Sequence, residues 1–314
     1  MDVLIFGGTG VLGSLIVERL RNLGHTATPV GREVDVTDAG AVARHAAGHD
    51  VVVCAAPAPT GVVQHACAAV GVPSVAVDLG TVMGDAGPPA AGAPAAGANT
   101  AATPSGSAHV VGVGLVTGLS GLLAHGVRRV VPGTAVEVTL GQSDNARVGV
   151  AGMREMFRYI AAGHREEGAP AGRGLLRLSH PERAALATAG VDACYATRWE
   201  TAGRTNVVRG LASAQVLGIV AALPDALLRR LARHDPARPE TIRLVVRADG
   251  EQGTRAGSQL VATAAGDYPA TAAVAVAVAL LAPGLPAGVH HLWDVLDLDD
   301  IRGAISDVVA ITNA

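Results

Sequence analysis

Residues 1–23 set a short strand, a glycine turn and a helix in immediate succession. No other segment constrains the fold as much. Met1 to Phe6 is a short apolar run, and Gly7-Gly8-Thr9-Gly10-Val11-Leu12-Gly13 follows it. Ser14 to Leu23 then carries helical periodicity, with Gly24 as a C-terminal stop. This order suits a dinucleotide pyrophosphate. Gly7 allows the sharp turn, Gly10 lets the backbone approach the phosphates, and Gly13 lets helix and strand pack closely. The helix N-terminus offers free N–H groups to the anion. Gly7, Thr9, Gly10, Val11, Leu12 and Gly13 are therefore the expected cofactor contacts. A glycine turn with no ligand is the alternative.

Composition excludes several classes. The length of 314 residues suggests two domains or one large one. A net charge of −3 gives no electrostatic case for nucleic acid or an anionic membrane. The N-terminal apolar run lacks a basic region before it, so no signal peptide is expected. Thr271 to Ala282 is apolar but shorter than the ~20 residues a bilayer needs, and it reads as a buried helix. A cytoplasmic location is the expectation. Cys54, Cys67 and Cys194 show no metal spacing and read as reduced thiols. All 24 basic side chains, histidine aside, are arginine, and the chain has no lysine. That rules out a Tyr-x-x-x-Lys dehydrogenase site, a pyridoxal Schiff base and a P-loop lysine.

The fold class expected is α/β: an N-terminal Rossmann, doubly wound parallel sheet plus an α+β second domain. Thr26–Val30 reads as strand two and Glu33–Val36 as strand three, with no helix between. Asp38 caps a helix over 39–47. Asp50–Cys54 is apolar throughout, as a buried parallel strand is, and reads as strand four. A helix follows over 60–70, then strand five at Ser74–Asp78, then a short strand from Val110. Residues 84–108 are Gly, Ala, Pro, Ser and Thr with almost no large apolar group, and read as a long loop. The second half has alternating strands at 135–140, 241–247 and 257–263, with helices at 150–162 and 213–233. Two helical stretches at 269–282 and 298–310 are expected to return to the domain junction. The domain boundaries expected are 1–132, 133–266 and 267–314.

Several of these segments resemble the saccharopine dehydrogenase-like superfamily. They are GGTGVLG, DVVVCAAPAP with HACAAVGVPSVAVDLG, GVGLVTGLSGLLA, and the terminal GDYPATAAVAVAVALLAPGLPAGVHHLWDVLDLDDI. The resemblance implies an NAD- or NADP-dependent enzyme that oxidises or reduces C–N bonds, while some relatives reduce C=C bonds. Two departures stand out. The family's helix between strands two and three is absent from the reading above, and Thr117 stands where the family often has Pro. The first departure resembles extended short-chain reductases such as dTDP-sugar reductases, whose catalytic lysine is missing here.

Within that frame, Arg32 at the end of strand two suits a 2′-phosphate, because its planar fork meets phosphate oxygens bidentately. NADP is the expected cofactor, with NAD second. Asp35 and Val36 are expected beside the adenine. Ala55, Ala56 and Pro57 end strand four, where small side chains let the cofactor pass. Three residues are candidate proton donors. Asp78 ends strand five and matches an Asp of the family, with a cap or turn role as its alternative. Tyr268 matches the family's tyrosine at the start of the closing helix, with packing as its alternative. His109 is the histidine best placed for acid–base work. Gln142 and Asp144, in the loop Gly141–Asn145, are candidate substrate contacts, with a plain turn as the alternative. His290–His291 is an adjacent pair whose side chains point apart, and no metal site is expected.

The function these features imply is hydride transfer to or from a C=N bond of a small molecule. An activated C=C bond is the second choice. An NmrA-like regulator that senses NADP, or a non-redox cyclase on a Rossmann fold, is the alternative class. A small-molecule substrate and a homodimer are the expected partners, with neither nucleic acid nor membrane.

Overall fold

The computed structural model describes residues 1–56, 60–77, 106–165, 174–231, 234–248 and 258–313. The chain opens with β1 (Asp2–Phe6), α1 (Val11–Asn22), β2 (Thr26–Val30), α2 (Ala39–Ala46), β3 (Val51–Cys54), α3 (Thr60–Ala69), β4 (Ser74–Ala76) and β5 (Ala108–Val111). Next come α4 (Leu119–Val130), β6 (Val136–Gln142), α5 (Val150–Arg165), β7 (Leu176–Leu178), α6 (Glu182–Thr188), β8 (Ala193–Trp199), α7 (Ala202–Ser213), α8 (Leu217–Ala221) and α9 (Asp225–Leu231). It closes with β9 (Ile242–Ala248), β10 (Ser258–Ala264), α10 (Asp267–Leu281), β11 (Gly288–His291), α11 (Leu292–Val295), α12 (Leu298–Ile305) and β12 (Val309–Asn313). Two compact units result: 1–119 with 271–305, and 120–270 with 306–314.

The first unit holds a six-stranded sheet of order β11-β5-β4-β3-β1-β2, parallel at every pairing. Strand order reverses between β1 and β3, which puts the loops after those strands at the topological switch point. β1 and β3 are almost wholly apolar and buried, as strands covered on both faces must be. Val34, Val42, Val52 and Phe6 share one core cluster with Val63 and Cys67. Burial pushes the Cys67 thiol up to about 12, so it is an inert core side chain. Within α10, Ala272 to Ala279 are all buried, which makes this apolar helix a core element. Taken with the 3-10 turn that continues it to Gly284, it is the one helix among the described residues long and apolar enough to cross a membrane, by length and composition.

The second unit has a mixed sheet of order β12-β10-β9-β6-β8-β7. β6 runs parallel to β8 and antiparallel to β9. Its alternate residues Val136, Val138, Leu140 and Gln142 are buried, so one face is packed and the other is more open.

Three expectations are corrected. Glu33–Val36 is a loop, not a strand. The Glu33 carboxylate accepts the Gly31 N–H, and the Asp35 carboxylate accepts both the N–H and the hydroxyl of Thr37. Such local bonds compete with a strand ladder. The helix between strands two and three is therefore present as α2, and that departure from the family pattern disappears. The single helix expected at 213–233 is broken into α8 and α9. Gln215 takes a left-handed φ of 58° after α7, and Pro224 precedes α9. The helix expected to run from 298 to 310 stops at Ile305, and Val309–Asn313 pairs with β10 as an antiparallel strand. Ile301, Ile305 and Val309 fit a helical spacing, which is why the periodicity misled. Of the loop expected at 84–108, residues 84–105 lie outside the described residues, while Ser107 is buried and Ala108 opens β5.

Candidate cofactor and proton-donor site

The turn after β1 is built by steric exclusion. Gly7 has φ 77°, and a Cβ there would lie 2.7 Å from the Ala56 nitrogen. A Cβ on Gly13 would lie 2.1 Å from the Gly7 carbonyl oxygen, so helix and turn meet backbone to backbone. Gly8 was not singled out from the sequence, yet its Cβ would lie 2.7 Å from the Pro29 Cα. Gly10 differs: the one atom near its Cβ position is the Gly7 oxygen, at 3.2 Å. Its approach is open.

Gly10 is the N-cap of α1 and lends no side-chain cap. The Gly10 N–H bonds Gly7 and the Ser14 N–H bonds Gly10. Those of Val11, Leu12 and Gly13 meet no acceptor among the described residues. Three unsatisfied donors at the positive end of a 12-residue helix, beneath a bare Cα, suit a pyrophosphate. Thr9 and Gly10 are exposed, and Val11 is 40 % exposed. These residues fit the group the turn implies.

Ala55 and Ala56 follow β3 and abut Gly7, half-buried, with the Ala55 N–H bonded to the Phe6 carbonyl. Pro57 lies outside the described residues. Arg32 sits in the turn after β2, exposed, with no hydrogen bond or ion pair to a described residue. Glu33 beside it was missed in the sequence. Its carboxylate folds back onto the Gly31 N–H at 2.6 Å, and that bond holds its pKa below the usual carboxylate value. A Cβ on Gly31 would lie 2.6 Å from the Thr9 hydroxyl oxygen, so this turn borders the glycine loop. Asp35 is engaged with Thr37, which lowers its pKa, and Val36 packs against the core cluster. Asp35 is exposed, with its other carboxylate oxygen outside that turn, and Val36 is half-buried.

The three proton-donor candidates separate. Asp78 lies outside the described residues. His109 is fully buried in β5, with Nδ1 2.9 Å from the Ser74 hydroxyl and Nε2 3.2 Å from that of Ser107. It pairs in register with Ser74, the first residue of β4, so it lies towards the N-terminal end of the sheet. Ligands bind at the opposite, carboxyl end. Burial pushes its pKa down to about 4, with His290 contributing, so the ring is neutral near pH 7. His109 is a structural histidine, and the acid–base expectation for it is withdrawn. Tyr268 accepts the Gly149 N–H on its phenol oxygen at 2.8 Å, and burial raises its pKa, so it keeps its proton.

Gln142 and Asp144 lie in the second unit. The Gln142 amide donates to the Thr197 hydroxyl at 2.7 Å and contacts Met156 sulfur. Asp144 faces Arg204 at 3.9 Å, and its N–H donates to Glu200. The sequence missed the whole stretch from β7 to α7, including Glu200 and Arg204. The alternation of Tyr195, Thr197 and Trp199 was the signal for β8.

A scan of protein-family models and a search of curated proteins find no match. Solved structures do match. Saccharopine dehydrogenase (L-Glu forming) from Saccharomyces cerevisiae superposes with a TM-score of 0.61 at 11 % identity, covering 100 % of this chain and 99 % of that one. Aspartate semialdehyde dehydrogenase II from Vibrio cholerae gives a TM-score of 0.34 at 10 % identity, with 81 % and 75 % of the two chains covered. The chain is thus a two-unit α/β protein with a dinucleotide-type parallel sheet. More particularly, its fold is saccharopine dehydrogenase-like.

Proposed function

We propose that this protein is an NADP-dependent oxidoreductase that moves hydride to or from a C=N bond of a small molecule. The observation that carries this reading is the open Gly10 at the uncapped N-terminus of α1, at the β1/β3 switch point. The unpaired Arg32 supports NADP over NAD, since a 2′-phosphate would be its partner. The end-to-end likeness to a saccharopine dehydrogenase supports C–N chemistry.

The nicotinamide supplies the hydride when bound. The chain's part is to hold the pyrophosphate on the N–H groups of Val11, Leu12 and Gly13, and to deliver a proton to the nitrogen as its carbon takes the hydride. Tyr268 fits that duty: its oxygen is held by Gly149, and its own proton remains to give. Asp78 is the second candidate.

The test is turnover of NADPH carrying deuterium at C4 with a panel of preformed imines. The expected result is deuterium on the product carbon. Tight NADPH binding with no label transfer to any imine would favour the regulator or cyclase reading instead. Given a substrate, Tyr268→Phe should lower kcat at least about tenfold while NADPH affinity stays nearly constant. Wild-type kcat in that variant would move the proton donor elsewhere, with Asp78→Asn next.

A further inference from the structure

The second unit contains a pocket of about 460 Å³, within the range of small-molecule sites. Its floor is Gly141 of β6. In register, Gly141 lies opposite Arg198 of β8 on one side and Arg243 of β9 on the other. Directly paired residues share a face, so two arginines flank a position that has no side chain. A Cβ on Gly141 would reach the Arg243 carbonyl oxygen at 3.4 Å, so the floor is close-set backbone. Both arginines are exposed and line the pocket.

Neither guanidinium has a hydrogen bond or ion pair with a described residue. Three arginines of this unit that do have partners show the contrast. Arg247, beyond Val245 on the same face of β9, bonds Glu137 at 3.0 Å. Arg154 bonds Asp225 at 2.8 Å. Arg204 donates to the Asp144 carbonyl and lies over Trp199. The acid lining the pocket is Glu200, whose carboxylate already accepts from the Ser143 hydroxyl and the Asp144 N–H. Asn206 accepts from Arg209 on its oxygen, which leaves its amide N–H groups as donors. Two cations two strands apart, about 10 Å by strand spacing, repel each other across a bare floor. An anion between them would relieve that repulsion and complete both forks.

We propose that this pocket binds a small organic anion through its carboxylate or phosphate groups, held between Arg198 and Arg243 over Gly141. The site is independent of the nucleotide reading. Citrate represents the carboxylates and inorganic pyrophosphate the phosphates. Calorimetric titration of each into the whole protein should show saturable one-to-one binding for at least one of them. Arg198→Gln and Arg243→Gln should each weaken it, and the double variant by at least about tenfold. Arg247→Gln, on the same face but already paired, should bind like wild type. The melting temperature of each variant checks its fold, and NADPH affinity should not change in the double variant. The proposal is overturned if neither anion saturates the wild type, if the double variant binds as tightly, or if Arg247→Gln weakens binding as much as the pocket variants.

Discussion

Gly10 and Gly13 lie three residues apart in one loop, and they tolerate a side chain very differently. At Gly13 an added Cβ meets the Gly7 carbonyl at 2.1 Å, with more backbone at 2.7 Å. No flexible side chain is there to give way. Gly13→Ala should therefore destabilise the folded chain by about 1–3 kcal/mol, the usual scale of overpacking, measured by denaturant titration. A variant as stable as wild type would mean the helix is less tightly set on the turn than described. Arg32 is the second residue whose effect can be isolated. It is exposed and unpaired, so its loss should leave stability alone. Arg32→Asp should weaken NADP by about 1.5–3 kcal/mol, the scale of a charge-assisted bond, and favour NAD relatively. A wild type that already prefers NAD would defeat the argument and shift attention to Glu33.

At the scale of elements, α2 shows how a short helix is fixed. Asp38 accepts the N–H groups of Gly40 and Ala41 at its start, and Val42 and Ala46 bury one face. Asp38→Ala should cost about 0.5–2 kcal/mol, read as a shift in the unfolding midpoint at constant slope. An unchanged midpoint would make α2 independent of its cap. The same element shows what the sequence reveals. Asp38 and the apolar run 51–54 were legible because capping and full burial leave local signatures. The false strand at 33–36 was not, because Glu-Val-Asp-Val alternates while its carboxylates bind their own turn. β12 was hidden because Val309 continues the helical spacing of Ile301 and Ile305. The geometry of the glycine turn was legible at Gly7 and Gly13, where an added Cβ meets backbone, but not at Gly8, whose neighbour Pro29 comes from another strand. The arginines around Gly141 were not legible, because only strand register brings positions 141, 198 and 243 together.

For the whole molecule, each unit carries one deeply buried neutral histidine. His109 sits between two serines in the first unit. His180 in the second stacks on Tyr195 with ring centroids 4.4 Å apart, and neither of its ring nitrogens has a hydrogen-bond partner among the described residues. Burial pushes their pKa values down to about 4 and about 3. An unfolded chain takes up these protons near the ordinary value of about 6.5, before the folded chain does. Both therefore contribute stability that is present above about pH 6.5 and lost as pH falls towards 4 for His109 and towards 3 for His180. The stability of the protein should fall across that window by up to about 1.4 kcal/mol per pH unit for each histidine. His180→Phe keeps the ring packing and removes the titration, so its slope should be shallower by about one proton. An unchanged slope would show that His180 does not stay neutral.

The central claim is that the turn after β1 holds a nicotinamide dinucleotide by its pyrophosphate. The most direct test is calorimetric titration of NADPH into the wild-type protein and into Gly10→Val. At Gly10 a side chain meets little but the Gly7 oxygen, so the variant should fold and keep a melting temperature near wild type. Its branched side chain would occupy the space above the free N–H groups of α1. The account predicts saturable one-to-one binding by the wild type and loss of at least about tenfold in affinity in the folded variant, as befits lost contacts to a charged phosphate. Equal affinity in a folded Gly10→Val, or no binding by the wild type, would contradict it.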